Sequence, residues 1–158
     1  MKLMAAGDQV LVAEFGDRID EAVNDQVHAL AAKIEEQQIP GIGEVVPTFR
    51  SLLIYYDSYQ LSYREAADKI EELARNLKTE QKTKKRILKI PCCYGARFGP
   101  DLADMEQLTG LDRKEMIDIH SSVDYKVYML GFLPGFAYLG GLDERIHVPR
   151  LKSPRLKI

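Results

Sequence analysis

The sequence predicts an α+β protein in two parts, a small sandwich of sheet and helices over residues 1–80 and a second domain over 86–158. Three observations carry this. Short segments such as Gln9–Phe15 alternate residues that can face in with residues that can face out. Between them lie apolar stripes at helical spacing, each preceded by a capping residue. After Leu77 the apolar periodicity stops, and Lys78–Arg86 is polar and mostly basic, as a solvated linker would be.

Taken in order, Gln9–Phe15 is the first strand expected. Asp20 then caps a helix whose Val23, Val27, Leu30 and Ile34 share one stripe, and Pro40 with Gly41 stops it. Gly43–Asp57 is rich in β-formers, with Pro47 at a turn or sheet edge. Ser62 and Glu65 have capping-box spacing, Leu61 can staple onto Ala66, and Ala66, Ile70, Leu73 and Leu77 form the buried face of a second helix. These elements give a sheet with its helices on one side. Beyond the linker, Arg86–Gly95 reads as a strand. A helix starting near Pro100 and Asp101 ends at Gly110, and another, capped by Asp112 with Glu115 in the box position, runs to about His120. Leu111 can staple onto Met116 there. Asp124–Leu130 is the last strand, with Tyr125, Val127 and Met129 on one face and Lys126, Tyr128 and Leu130 on the other.

Composition narrows the function. The 158 residues are 46% hydrophobic and 29% charged with net charge −2, which suits a cored globular chain and gives no basic stripe for nucleic acid. No segment has the length of a membrane span or a signal peptide. The only cysteines, Cys92 and Cys93, are adjacent and badly placed to bridge each other; they read as packing residues of a reduced, cytoplasmic protein. There is no phosphate loop, GxGxxG, HExxH, GxSxG or CxxC, so no nucleotide or metal site is expected in this chain.

Two features could carry chemistry. His120, at a helix C-terminus and followed by Ser121 and Ser122, is either a cap bonding the last carbonyls or an acid–base group. His28 reads as a rim residue and His147 has no partner at metal-ligand spacing. The uncharged stretch Met129–Leu142 holds four glycines, Pro134 and the aromatics Phe132, Phe136 and Tyr138. Such a segment is either a binding wall or a tightly turned piece of core.

The same stretch carries a family resemblance. His120–Ile158, with Gly7–Gly16, Val46–Asp57 and Ile90–Leu102, closely resembles the KipI family, whose members are also called the B subunits of the bacterial ATP-dependent 5-oxoprolinase and are similar to the first subunit of allophanate hydrolases. The resemblance implies a small α/β domain followed by a cyclophilin-like β-barrel. It implies a component that is inactive alone, holds no cofactor and works with the A and C subunits of 5-oxoprolinase, the complex opening 5-oxoproline to glutamate with ATP hydrolysis. A second implied activity is inhibition of a sensor histidine kinase by binding it, and a third is one half of a urea-carboxylase type carboxyltransferase. Carried onto this chain, the motif makes His120 the catalytic candidate. It makes Ser121, Tyr125, Gly131, Phe132, Pro134, Gly135, Phe136, Tyr138, Gly140, Gly141, Arg150 and Arg155 candidates for a substrate or partner groove. Family members continue past the point corresponding to Ile158, so about a third of the expected protein, including later barrel strands, would be absent and the barrel could not close. An open barrel exposes strand edges, and a homodimer through swapped strands is the expected result.

Overall fold

The structure, a computed structural model, describes residues 1–77 and 86–153. The class is α+β, as expected. Contacts divide the chain into two compact units, Met1–Lys84 with Val127–Tyr138, and Lys85–Lys126 with Leu139–Ile158. The basic stretch of the expected linker, apart from Arg86, lies outside the described residues, as do Pro154 and Arg155.

In the first unit, β1 (Lys2–Ala5), β2 (Val10–Glu14), β4 (Ser51–Tyr56) and β3 (Ile42–Pro47) form an antiparallel sheet in the order β1-β2-β4-β3. The sequence does not predict β1. Its four residues show no alternation of their own, and they become a strand by pairing with β2, from Lys2 opposite Glu14 to Ala5 opposite Leu11. Pro47 ends the edge strand β3, where a missing donor costs no ladder bond.

Helix α1 (Glu21–Gln37) starts where expected. The Asp20 carboxylate accepts from the backbone of Ala22 and Val23 at 2.8 and 3.0 Å. It ends at Gln38, whose φ of 44° is left-handed, one residue before Ile39, which Pro40 keeps out of the helical region. Helix α2 (Tyr63–Arg75) carries the complete Ser62–Glu65 capping box. Leu11 and Ala13 of β2 and Leu52, Ile54 and Tyr56 of β4 all point to one side of the sheet, where they meet Val27, Leu30 and Ile34 of α1 and Ile70 of α2. Each such Leu or Ile removed from water contributes about 2 kcal/mol.

Gly41 sits where no side chain fits. Its φ is +85°, and a Cβ would lie 2.8 Å from Cγ of Leu61, itself packed on the core. Gly41→Ala should therefore cost about 1–3 kcal/mol, read as a lower urea midpoint with an unchanged slope.

In the second unit, α3 (Leu102–Thr109) ends at Gly110 in the left-handed region, and α4 (Arg113–Ser121) carries the Asp112–Glu115 box, both as expected. Leu102, Met116 and Ile146 form the small core, with Tyr94, Met105, Leu111 and Ile119 packed on it. The expected strand Arg86–Gly95 does not form; a strand needs a partner, none pairs with it among the described residues, and Pro91 interrupts it. Cys92 and Cys93 are exposed rather than packed, because the strand that would have buried them is absent.

The hairpin β5 (Lys126–Leu130) and β6 (Ala137–Gly140) belongs largely with the first unit. Tyr128 is its buried residue, so the face carrying Lys126, Tyr128 and Leu130 supplies the inward contact. Between the strands, the Leu133 amide donates to the Gly131 carbonyl at 2.7 Å, closing a γ-turn about Phe132, whose φ is +63°. The Phe136 amide then donates to the Leu133 carbonyl at 3.0 Å across Pro134 and Gly135, the latter at φ +77°. Proline followed by a positive-φ glycine is what a type II turn requires. This is the local reason for the Gly-Phe-Leu-Pro-Gly-Phe run.

Candidate active site

His120 lies in the last turn of α4. The reading of its ring as a cap for the final carbonyls does not hold: its Nδ1 is 2.5 Å from the Tyr94 hydroxyl. The carbonyls of that turn are taken by the hydroxyls of Ser121, which donates to the Ile117 oxygen at 2.7 Å, and Ser122, which donates to the Ile119 oxygen at 2.9 Å. The Tyr125 hydroxyl donates to the His120 carbonyl at 2.9 Å. The imidazole is thereby held between two tyrosine rings, edge-on to Tyr94 with centroids 5.7 Å apart and tilted against Tyr125 at 5.3 Å.

Burial, reinforced by the neighbouring Cys92, pushes the Tyr94 phenol up to about 12, and burial with the charge of Asp143 raises Tyr125 as well. Tyr94 therefore keeps its proton at neutral pH and can donate it to Nδ1. A phenol raised from 10 to about 12 contributes stability that is complete below pH 10 and is lost as pH climbs through 12. Phenolate absorbance should show one tyrosine titrating near 12, with the second unit loosening in the same window, and Tyr94→Phe should remove that late step.

Tyr94 and His120 face a cavity of about 700 Å³ within the second unit, walled also by Cys92, Met116, Ile146 and His147. That volume suits a small organic ligand. The His147 Nε2 donates to the Leu142 carbonyl at 3.2 Å, which fixes its ring on the cavity wall. Among the described residues no cluster of three or more His, Cys, Asp or Glu could hold a metal ion. No helix among them is long and apolar enough to cross a membrane.

Of the residues the sequence singles out, the structure brings together His120, Ser121 and Tyr125. Phe132, Phe136 and Tyr138 form a separate chain in the first unit, with successive centroids 5.8 and 5.4 Å apart, that continues through Phe49 to Tyr128. Phe132, at the strained turn, is 83% exposed, while Tyr128 at the other end is buried. Gly131, Pro134 and Gly135 shape that tip; Gly140 ends β6, and Gly141 follows it at φ +99°. Arg150 is exposed in the second unit, and Arg155 lies outside the described residues. Sequence reasoning misses Tyr94, whose only signal is an aromatic following two cysteines.

It also misses a buried polar clamp in the first unit. Asn24, wholly buried on the apolar stripe of α1, donates through Nδ2 toward the carbonyls of Thr48, Phe49 and Tyr128 at 3.0, 3.2 and 3.2 Å. One turn later His28 donates through Nε2 to the same Tyr128 carbonyl at 3.1 Å. His28 is a rim residue with a structural task.

The class of the protein follows from comparison of this α+β chain with known families: residues 1–158 match the carboxyltransferase domain, subdomain C and D. The chain is 42% identical over 162 residues to the 5-oxoprolinase B subunit of Bacillus subtilis (strain 168), covering 96% of this chain and 68% of that protein. It is 33% identical over 154 residues to the protein of the same name from Escherichia coli O157:H7, again covering 96% and 68%. The chain belongs to the family of 5-oxoprolinase B subunits. Among solved structures, TTHA0988 superposes with a TM-score of 0.79 at 29% identity, over 93% of this chain and 28% of that one. Urea carboxylase of Kluyveromyces lactis shares the fold, with a TM-score of 0.60 at 20% identity over 82% of this chain and 13% of that one.

Proposed function

We propose that this chain is the B component of a cytoplasmic 5-oxoprolinase, inactive alone, which with the A and C subunits opens the lactam of 5-oxoproline to glutamate. The observation that carries this is the 42% identity to a 5-oxoprolinase component across 96% of the chain. ATP hydrolysis belongs to the partner subunits; this chain shows no phosphate loop in its sequence. The proposed domains are an N-terminal one over residues 1–80 and a cyclophilin-like one over 86–158, of which Val127–Tyr138 groups with the first compact unit.

The chemistry assigned to this chain is proton handling. Opening a lactam requires a proton for the departing amide nitrogen, and an imidazole is the side chain best matched to moving one near neutral pH. His120, with Nδ1 occupied by Tyr94, retains Nε2 for that purpose. Ser121, Tyr125, Phe132, Phe136 and Tyr138 are the proposed supporting and partner-facing residues.

The test is ATP-dependent glutamate formation from 5-oxoproline by the full-length protein assembled with A and C subunits, against the same mixture lacking this chain. Glutamate that disappears in the control is the expected result. An assembled complex that forms no glutamate would overturn the proposal, and inhibition of a histidine kinase would become the next activity to assay.

A further inference from the structure

Tyr94 is held as firmly as the histidine it touches. Its side chain packs on the core of Leu102, Met116 and Ile146. Its carbonyl is approached so closely by the backbone at Gly99 that a Cβ there would lie 2.5 Å from the oxygen. Its hydroxyl reaches Nδ1 of His120 at 2.5 Å, and its ring meets the imidazole edge-on at an interplanar angle of 81°. Tyr125 fixes the other side by bonding the His120 backbone rather than its ring. The ring and the main chain of His120 are thus positioned by two different hydroxyls.

A neutral imidazole has one donor and one acceptor nitrogen, and which is which follows from the bond the other nitrogen makes. We propose that Tyr94 is a positioning residue that sets the tautomer of His120. Its hydroxyl donates to Nδ1, so the neutral ring carries its proton on Nε2, the nitrogen left to serve a ligand in the cavity. The proposed ligand nitrogen or oxygen is then met by an N–H donor of fixed direction. The imidazole can take up a proton from water at Nδ1, the Tyr94 hydroxyl keeping its own proton and turning from donor to acceptor; the imidazolium so formed can then give its Nε2 proton to the ligand and return to a neutral ring without moving.

The kinetic consequence rests on the reading of His120 as the proton carrier; the tautomer itself does not. The experiment therefore has two arms. In the first, imidazole ¹H–¹⁵N correlation spectra of the isolated full-length protein are recorded above the histidine titration for the wild type, Tyr94→Phe and Tyr125→Phe. The wild type is expected to show His120 protonated on Nε2, with an Nδ1 resonance displaced by hydrogen bonding. Tyr94→Phe, which keeps the ring and its packing, should return Nδ1 to the unbonded position, while Tyr125→Phe should leave it in place. A wild-type proton on Nδ1, or an Nδ1 resonance unmoved by Tyr94→Phe, overturns the proposal.

In the second arm, Tyr94→Phe in the complex with A and C subunits should lower kcat about tenfold with KM little changed, the size expected for one hydrogen bond acting on an acid–base group. If His120→Ala leaves the rate of the complex unchanged, the proton-carrier reading is lost, and the spectra still decide what Tyr94 does.

Discussion

Asn24→Ala is expected to destabilise the first unit by about 3 kcal/mol, since Asn24 is a fully buried polar side chain. Asn24 is wholly buried, and its amide N–H groups are shared among three carbonyls, those of Thr48, Phe49 and Tyr128. Removing it takes a donor from the part-buried Thr48 and Phe49 carbonyls and from the buried Tyr128 contact, at about 1–3 kcal/mol for a group left unsatisfied, and His28 can cover only the Tyr128 oxygen. Asn24→Asp should be worse still: it replaces the donor with a buried carboxylate facing three oxygens that also accept. The Asn24 Oδ1 has no partner among the described residues, so a carboxylate gains nothing on its other side. Urea unfolding gives the magnitude. Amide exchange gives the location, because Asn24 spans the β3–β4 turn and strand β5, and protection in β5 and β6 should fall first.

His120→Ala should reduce kcat of the assembled complex by about 10²–10⁴-fold, the usual contribution of a positioned acid–base group. Stability should change little by comparison. The ring is bonded by Tyr94 and lies against the Tyr125 ring at the end of α4, while the core of that unit is Leu102, Met116 and Ile146. Circular dichroism and co-purification with the A and C subunits should match the wild type. A variant that retains full rate would remove His120 from the chemistry.

Much of the fold is legible because it is written in local signals. Asp20, the Ser62–Glu65 pair, the Asp112–Glu115 pair and Gly110 all punctuate helices where the rules of capping place them. A cap acts on residues two or three positions away, so a single sequence contains the whole interaction. The misses are all non-local. β1 is a strand because β2 lies beside it, and Arg86–Gly95 is not one because no described strand does.

The site divides in the same way. His120 is visible from its place at a helix end, but its partner Tyr94 is 26 residues away and its neighbour Tyr125 acts on its backbone. Nothing in spacing links the first pair. Asn24 is hidden for a different reason: a polar residue on an apolar stripe looks like an interruption until the carbonyls it serves, up to 104 residues distant, are in place. The aromatic run Phe132–Tyr138 is conspicuous, and its turn chemistry follows from Pro134 and Gly135; its continuation through Phe49 emerges only in the folded chain.

That 104-residue gap between Asn24 and Tyr128 also sets an order of events during synthesis. A ribosome adds about 5–20 residues per second, so Asn24 leaves the exit tunnel roughly ten seconds before the carbonyl it will hold. Until then the sheet and α1 can assemble from residues already made, but with a buried amide only partly occupied and the Phe49 ring still without Tyr128 and Tyr138 beside it. The nascent chain thus passes through a nearly finished intermediate that the later hairpin must complete, and that waiting period is when a chaperone would have most to bind.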